Sequence, residues 1–202
     1  MGRPAYIALE GTEGCGKSTQ ARLLATERGA TLTRETGGTP VGEQLREILH
    51  DVEVTDLDSR AEALMIAADR AQHIARVVLP ALDSGRDVVS DRSVYSTLAY
   101  QGYGRRIELA ELRRINHWAV RGCWPDVVVL LDVTDDVVVE RLAGRRLDRF
   151  EQETASFHER VRDGFRTMAA DDDRHWLVVE ASGSVDDVAD AVRAGLTKHL
   201  DR

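Results

Sequence analysis

The sequence predicts an α/β fold in which a five-stranded parallel sheet carries helices on both faces. Short segments rich in Val, Ile and Leu alternate along the chain with amphipathic stretches, which is the order of elements in repeated strand–helix–strand units. One apolar segment, VVVLLDV at 127–133, shows no alternation of polar and apolar residues, as expected of a strand buried on both faces. The length of 202 residues, without a linker or an internal repeat, predicts one domain, 1–202.

The individual elements follow from the same patterns. The predicted strands are 5–9, 31–33, 87–90, 127–133 and 176–180. The predicted helices are 17–28, 41–50, 59–79, 109–121, 135–143, 153–168 and 185–200. The third helix is expected to begin with a capping box formed by Ser59 and Glu62. Its apolar residues recur at three- and four-residue spacing and predict one buried stripe of Leu64, Ala67, Ala71, Ile74 and Val78.

Composition and charge argue against several classes of protein. The chain has 27 basic and 35 acidic residues and a net charge of −8, whereas nucleic-acid and membrane-surface binders are typically basic. Its apolar runs are far shorter than the ~20 residues that span a bilayer, and residues 1–4 lead into the first predicted strand without an apolar signal region. Two cysteines, Cys15 and Cys123, make no disulfide framework. We therefore expect a cytoplasmic protein without nucleic-acid or membrane partners.

The most specific motif is GTEGCGKS at 11–18, which matches the phosphate-binding pattern G-x-x-x-x-G-K-[ST] between a predicted strand and a predicted helix. Glycines let the backbone wrap around phosphate oxygens with its N–H groups turned inward, and the helix adds its positive N-terminal end. Lys17, one of two lysines among the 27 basic residues, is expected to reach the β- and γ-phosphates of ATP, and Ser18 to ligate Mg²⁺. The expected nucleotide-binding residues of the loop are Gly11, Thr12, Glu13, Gly14, Cys15, Gly16, Lys17, Ser18 and Thr19.

The rest of the chain indicates which kind of P-loop protein this is. P-loop GTPases recognise guanine with an [NT]-K-x-D segment, but the single asparagine, Asn116, is followed by His117, so a switch GTPase is not indicated.

Within the phosphate-binding loop, Cys15 is interpreted as a small side chain that fits the available space, in preference to a reactive thiol.

Four groups of residues, in one order along the chain, resemble the thymidylate kinases, a family of P-loop kinases that phosphorylate dTMP. They are the loop with Glu10 before it and Glu13 inside it; RETGGT at 34–39; AADRAQH at 67–73 with DRS at 91–93 and STLAYQG at 96–102; and PD at 125–126 with LDV at 131–133 and LDRFEQE at 147–153. The resemblance covers about residues 5–153. It implies a P-loop kinase fold with an arginine-rich lid at about 141–152, Mg²⁺-dependent transfer from ATP to dTMP for dTTP synthesis, and a homodimer.

The acceptor side of such a site needs positive charge that faces the P-loop. Arg92, beside the end of a predicted strand, can bind a phosphate through two of its nitrogens, and Arg34 is a second candidate from the neighbouring loop. Asp91 ends a strand at the position where a carboxylate can meet Mg²⁺ or its waters. The expected catalytic residues are Lys17, Asp91, Arg92 and Arg149.

The nucleobase is expected against one face of the third helix, where Ile66, Arg70 and His73 are spaced at i, i+4 and i+7. The resemblance assigns Arg70 to thymine and places an aromatic residue where this chain has Ile66, which cannot supply aromatic stacking. His73 is interpreted as a core residue. Thr97 and Gln101 are expected to form hydrogen bonds with the polar edge of the base. Tyr100 resembles the family tyrosine that excludes a ribose 2′-hydroxyl, and Glu13 is expected to accept a hydrogen bond from the sugar 3′-hydroxyl.

The predicted lid holds the densest group of cations in this acidic chain, namely Arg141, Arg145, Arg146 and Arg149. Such a segment suits closure over ATP, with charge delivered to the transferred phosphoryl group. By resemblance, Arg149 acts there with Lys17, and Arg145 binds ATP. Gly14 stands where one branch of the family has an arginine, so the chain resembles the branch whose cation comes from the lid. The segment 181–184 is expected to border the adenine.

Two alternatives stay open at this point. The first is a P-loop kinase for another nucleoside monophosphate or small acceptor, and its basis is Ile66 in place of an aromatic residue. A nucleotide-dependent switch or assembly ATPase would use the same loop, and its slow ATP turnover would not depend on a monophosphate.

Overall fold

The computed structural model describes residues 3–200, and its centre is one five-stranded parallel sheet of order β2-β3-β1-β4-β5. The strands are β1 (Tyr6–Glu10), β2 (Thr31–Arg34), β3 (Val88–Asp91), β4 (Val127–Asp132) and β5 (Trp176–Glu180). The predicted five-stranded parallel sheet is confirmed. The ends of the predicted domain 1–202, and the first half of the 1–4 segment, lie outside the described residues.

Helices cover both faces of the sheet. They are α1 (Lys17–Arg28), α2 (Pro40–His50), α3 (Ser59–His73), α4 (Leu79–Asp83), α5 (Val94–Thr97), α6 (Leu109–Val120), α7 (Asp135–Leu142), α8 (Ala155–Asp171) and α9 (Val185–Leu200). Two π-helical segments, Ile74–Val78 and Leu98–Gly104, follow α3 and α5 directly. No helix within residues 3–200 is long and apolar enough to cross a membrane.

The helix predicted at 59–79 differs from the observed one in its course and at its start. A π-helical segment separates α3 from α4 because Pro80, in the first turn of α4, has no N–H to donate to the preceding turn, and the wider turn accommodates it. The predicted capping box is wrong, since Asp58 caps α3 by accepting hydrogen bonds from the N–H groups of Arg60 and Ala61 at 2.8 and 3.3 Å. Glu62 is instead fully buried.

The buried stripe predicted for this helix is wrong at its first member. Leu64 is 55% exposed, whereas Ala63 and Ile66 are buried. The physical reason is that the inward face of α3 is centred on polar residues, Arg70 and His73, which are 1% and 0% exposed. A stripe drawn through apolar residues alone therefore misses the true orientation of the helix.

The β4 strand shows why its sequence does not alternate. Val129 and Leu131 pack into one apolar core, with α1 and α9, while Val128 and Leu130 pack into a second core on the opposite face, with α8. Both faces of the strand are thus apolar, as the sequence predicts.

The carboxyl ends of the parallel strands meet at one edge of the sheet. The P-loop leaves β1 at this edge, and the register pairs Leu9 with Asp91 and Asp91 with Arg34. The connection that leaves β1 runs to β2 on one side of it, whereas the connection that leaves the neighbouring β4 runs to β5 on the other side. The crevice that opens between two such strands is where α/β sheets bind ligands.

Candidate active site

The P-loop between β1 and α1 closes around its own lysine. Gly11, Gly14 and Gly16 have φ angles of 141°, 72° and 98°, a region that disfavours other residues. A Cβ atom on Gly11 would also lie 2.6 Å from the carbonyl oxygen of Leu131. Lys17 is 7% exposed, and its Nζ donates to the carbonyl oxygens of Gly11 and Thr12 at 3.1 and 2.6 Å. The ammonium group is thus held inside the loop by neutral acceptors.

Cys15 lies beneath the loop and not at its surface. It is 1% exposed, and its Sγ is 3.5 Å from Lys17 Nζ. The interpretation of Cys15 as a small side chain that fits the loop agrees with this position.

Ser18 and Asp91 come together from different elements. The Ser18 hydroxyl, on the first turn of α1, donates a hydrogen bond to Asp91 Oδ2 at the end of β3. A hydroxyl and a carboxylate are hard oxygen donors, which Mg²⁺ uses in small number together with substrate phosphates and water. The donor set therefore fits the magnesium ion that the sequence leads us to expect.

Arg92 follows Asp91 in a strained conformation. Its φ is 74°. Two hydrogen bonds hold the backbone in this conformation: the Arg92 N–H donates to Leu9 O at 2.9 Å, and the Ser90 hydroxyl donates to the Arg92 carbonyl oxygen at 2.7 Å. Non-glycine residues in this region of φ cost about 1–3 kcal/mol and persist where the surroundings determine them. The strain turns the guanidinium back toward the P-loop, where Nη1 donates to Gly11 O at 3.2 Å.

Arg92, Glu13 and Tyr100, which are each predicted to contact a different part of the acceptor, form one cluster. Arg92 Nη2 lies 2.7 Å from Glu13 Oε1 and 3.1 Å from the Tyr100 hydroxyl, which itself donates to Glu13 at 2.6 Å. Burial alone would raise the pKa of Glu13, but Arg92, Lys17 and the Tyr100 hydroxyl lower it below its usual value. Glu13 is thus a carboxylate that can accept hydrogen bonds.

Glu10 lies on the buried side of this cluster and orients it through hydrogen bonds. It is fully buried and accepts hydrogen bonds from the N–H and hydroxyl of Ser93 at 2.8 and 2.7 Å, and from those of Ser96 at 3.2 and 2.6 Å. Burial raises the pKa of Glu10, against the charge of Arg92 and the serine hydrogen bonds. Ser96 in turn accepts from Arg92 Nη1 at 3.0 Å, so Glu10 orients Arg92 through a serine.

Arg46 on α2 is a cleft residue that sequence reasoning missed. It lines the same cleft as Arg34 and Arg92 and donates to Thr36 O at 3.2 Å. Burial lowers the pKa of Arg46, and the charges of Arg34 and Arg92 lower it further. Three guanidinium groups that face one cleft form a site for an anion. Only the neighbouring RETGGT motif hinted at α2, since Arg46 belongs to no motif itself.

The base side of the cleft holds Ile66, Arg70, Thr97 and Gln101, which are all at most 8% exposed. Thr97 Oγ1 is buried without a hydrogen-bond partner in residues 3–200. Phe150, an aromatic residue that the sequence analysis did not assign to substrate, lines the same cleft. The cleft measures about 280 Å³ and is lined by all eight predicted substrate residues.

Arg70 borders the cleft but is already bonded within the protein. Its Nε donates to Glu35 at 2.8 Å, its Nη2 to Ser93 O at 3.3 Å, and its Nη1 to Asn116 Oδ1. Glu35 also contacts His73 Nδ1 at 3.0 Å, and the pKa of Glu35 is lowered because the charge of Arg70 and the contacts with Arg70 and His73 outweigh its burial. His73 is fully buried, which agrees with its interpretation as a core residue.

The lid arginines occupy two different places. Arg141 lies beside the P-loop, where its Nη1 donates a hydrogen bond to Gly14 O at 3.2 Å and its Nη2 donates one to Ala181 O at 3.0 Å. Arg145 lines the cleft beside the P-loop. Arg149 is not brought to the P-loop. Its Nη2 bonds the buried Glu62 at 2.7 Å, because that carboxylate requires a counter-charge, and its guanidinium lies over the Phe150 ring at 4.7 Å.

A second depression lies on the other side of the P-loop. It measures about 380 Å³ and runs over residues 14–20 to Val185 and to Ala181 and Gly183, which belong to the segment 181–184 expected to border the adenine. The cleft and the depression share four lining residues: Gly14, Lys17, Ser18 and Arg145. The two cavities therefore meet at the P-loop lysine.

Comparison with known proteins bears on this arrangement. Residues 9–192 match the family model described as thymidylate kinase. The thymidylate kinase of Leifsonia xyli is 45% identical over 199 residues, which are 95% of this chain and 93% of that protein. That of Halothermothrix orenii is 39% identical over 195 residues, 92% of this chain and 93% of the relative. The crystal structure of thymidylate kinase from Ehrlichia chaffeensis superposes with a TM-score of 0.80 at 30% identity and covers 96% of this chain and 100% of its own. This chain belongs to the thymidylate kinase family.

Proposed function

We propose that this chain transfers the γ-phosphoryl group of ATP to the phosphate of dTMP and so forms ADP and dTDP for dTTP synthesis. The observation that carries the proposal is the wall shared by the two cavities, formed by Gly14, Lys17, Ser18 and Arg145. A phosphoryl group that moves in line between two bound nucleotides crosses where their sites meet, and there the protein has to position the reactants and stabilise charge.

On the donor side, ATP would lie in the depression with its phosphates in the P-loop. Lys17 now bonds two backbone carbonyls, and a phosphate oxygen is the stronger acceptor because it is charged. We therefore infer that Lys17 turns from the loop to the β- and γ-phosphates. Arg145, which lines both cavities, would stabilise the transferred group, and Arg149 would do so only after leaving Glu62.

Mg²⁺ would be held by Ser18 and Asp91. When bound, it supplies positive charge to the phosphates of the donor. The oxygen atoms of these two residues already lie in contact, so the site needs no rearrangement of the backbone.

On the acceptor side, Arg34, Arg46 and Arg92, three of the five arginines that line the cleft, would hold the phosphate of dTMP. Glu13, ionised beside Arg92, would accept a hydrogen bond from the sugar 3′-hydroxyl. Tyr100 packs against the same two groups and would exclude a ribose 2′-hydroxyl by steric conflict. Ile66, Thr97 and Gln101 then remain for the base.

A panel of acceptors tests the proposal. ADP release is measured with dTMP, AMP, CMP and GMP, and dTMP is expected to give the highest kcat/KM. An equal rate with another monophosphate would favour a different acceptor, and ATP turnover independent of any monophosphate would favour a switch or assembly ATPase. Lys17→Met should abolish transfer, whereas Lys198→Met, which replaces the exposed second lysine on α9, should not.

We also propose a homodimer. Trp118 on α6 is 81% exposed and Leu64 on α3 is 55% exposed, and the two helices pack side by side. Large apolar side chains exposed on adjacent helices support an interface. Light scattering should show two copies for the wild type and one for Leu64→Glu/Trp118→Glu, with Val139→Glu, at an exposed position on α7, as the control.

We propose the cytoplasm as the compartment of this enzyme. Its two cysteines are both free thiols, which suits a reducing environment. Recovery of the dTMP kinase activity in the cytoplasmic fraction of cells tests this, and recovery elsewhere would contradict it.

A further inference from the structure

Glu62 is a buried carboxylate to which the proposed mechanism assigns no part. It lies on the first turn of α3 and is fully buried. Its Oε1 accepts from Gln101 Nε2 at 2.8 Å and Arg105 Nε at 3.2 Å, and its Oε2 from Arg105 Nη2 at 3.1 Å and Arg149 Nη2 at 2.7 Å. These four hydrogen bonds use the full acceptor capacity of a carboxylate. Because two of its partners are guanidinium groups, Glu62 is an acceptor and not a donor.

This contact determines which end of the Gln101 amide faces the cleft. Gln101 is 1% exposed and lines the base side of the cleft. Its NH₂ end is bonded to Glu62, whereas no donor among residues 3–200 bonds its Oε1. Reversal of the amide would place two acceptor oxygens against each other at the position of a 2.8 Å hydrogen bond. Gln101 therefore keeps its carbonyl end for a ligand.

A second unpaired group lies one helical turn earlier. Thr97 Oγ1 is buried without a partner in the described part of the chain and lines the same cleft. Buried polar groups are nearly always hydrogen-bonded, so an orphan group at a cleft indicates an absent ligand. The cleft thus offers one fixed acceptor, Gln101 Oε1, beside one hydroxyl that can donate or accept.

We propose that Glu62 is a positioning residue for base recognition: it holds the NH₂ end of Gln101 so that Oε1 faces the cleft and selects a pyrimidine that carries a ring N–H. This rests on the proposed function. Thymine and uracil present an N–H at ring position 3, which donates to an acceptor. Cytosine presents an unprotonated nitrogen there, so two acceptors would face each other without a proton. Discrimination then comes from a repulsive contact as well as an attractive one.

The test compares two ratios of kcat/KM in Glu62→Gln. A glutamine at position 62 can donate or accept, so it permits both orientations of the Gln101 amide. We expect the dTMP:dCMP ratio to fall about tenfold, which is the scale of one hydrogen bond to a buried group. The dTMP:dUMP ratio should stay unchanged, because both bases carry the same ring N–H. The KM for dTMP should rise. A change in kcat that follows from release of Arg149 would act equally on dTMP and dCMP and would therefore cancel from the ratio.

Glu153→Gln is the matched control. Glu153 also pairs with Arg105, through Nη1, but has no contact with Gln101. It should leave both ratios as in the wild type. An equal fall in Glu153→Gln would overturn the proposal, because the effect would then pass through Arg105. An unchanged dTMP:dCMP ratio in folded Glu62→Gln, or a parallel fall of both ratios, would also overturn it.

If Glu62→Gln does not fold, Glu62→Asp replaces it. Aspartate keeps the charge for Arg105 and Arg149 but withdraws the carboxylate by one methylene from Gln101. The same fall in the dTMP:dCMP ratio is expected, and an unchanged ratio overturns the proposal. Wild-type enzyme that shows no preference for dTMP over dCMP would refute the proposed function together with this role of Glu62. A wild-type preference that survives in the variant refutes the role of Glu62 alone.

Discussion

Replacement of Tyr100 by phenylalanine removes one oxygen atom that touches both charged groups of the acceptor site. The hydroxyl lies 2.6 and 2.7 Å from the two carboxylate oxygens of Glu13 and accepts from Arg92 Nη2 at 3.1 Å. The ring is 5% exposed and meets three aromatic rings at centroid distances of 6.1 to 6.2 Å, those of Phe150, Phe157 and Phe165. Phenylalanine keeps this packing, so the substitution isolates the hydroxyl.

The magnitude follows from these contacts. A hydrogen bond to a charged group contributes about 1.5–3 kcal/mol. Arg92 keeps its own bond to Glu13 at 2.7 Å, so neither charge is left unpaired. We therefore expect the lower end, about 1.5 kcal/mol, or about a tenfold loss in kcat/KM for dTMP. Burial raises the pKa of Tyr100 well above its usual value, so the loss should be the same at all pH values from about 6 to 9.

The assay is ADP release at saturating ATP with dTMP varied, and thermal unfolding reports whether the fold is kept. A kcat/KM for Tyr100→Phe within twofold of the wild type, in a variant with unchanged unfolding, would refute the reasoning. Tyr100→Ala also removes the ring and should relax the preference for dTMP over ribothymidine monophosphate. An unchanged preference in that variant would remove Tyr100 from the exclusion of the 2′-hydroxyl.

Three further predictions concern other parts of the molecule. Ser96→Ala removes a 3.0 Å hydrogen bond to Arg92 and should raise the KM for dTMP about five- to tenfold, and steady-state kinetics that show no rise would contradict this. Burial would raise the pKa of Asp148, but hydrogen bonding by His50 lowers it to about 2. The ionised Asp148 therefore stabilises the folded state fully above pH 3.8, and this contribution is lost as the pH falls through 2. Urea unfolding should find Asp148→Asn about 1–2 kcal/mol less stable than the wild type at pH 7, a value reduced by solvent screening of this partly exposed carboxylate, and closer to it below pH 3.8. A difference independent of pH would count against the hydrogen bond from His50. Cys15, 1% exposed, should react slowly with iodoacetamide in the native enzyme and rapidly after unfolding, which mass spectrometry measures, whereas rapid native labelling with loss of activity would show that the loop opens.

Local signals account for the elements that the sequence predicted well. The strand at β4 and the P-loop with its following helix each depend on residues adjacent in the chain, namely a run of branched apolar side chains and a set of glycines before a lysine. Element boundaries were less accurate. The π-helical segment Ile74–Val78 arises from Pro80, whose effect on the preceding turn is not visible in apolar periodicity.

Residues whose roles depend on distant partners were placed less well. Glu62 fits a capping box in sequence, yet it is drawn into the interior by Arg105 and Arg149, which are 43 and 87 positions away. Arg149 was expected at the transferred phosphoryl group and is found on that carboxylate. Arg46 carries no motif and is recognised only because α2 sets it beside Arg34 and Arg92.

The sequence by itself determined the fold class, the phosphate-binding loop and many of the side chains that line the cleft, though not Arg46 or Phe150. These depend on periodicity, glycine conformations and short motifs, all of which act between near neighbours in the chain. Only the tertiary structure decided which charges meet, such as Glu13 with Arg92, Ser18 with Asp91 and Glu62 with Gln101. The reason is physical: buried charges must find partners across the fold, and those partners are set by how helices pack on the sheet and not by spacing along the chain.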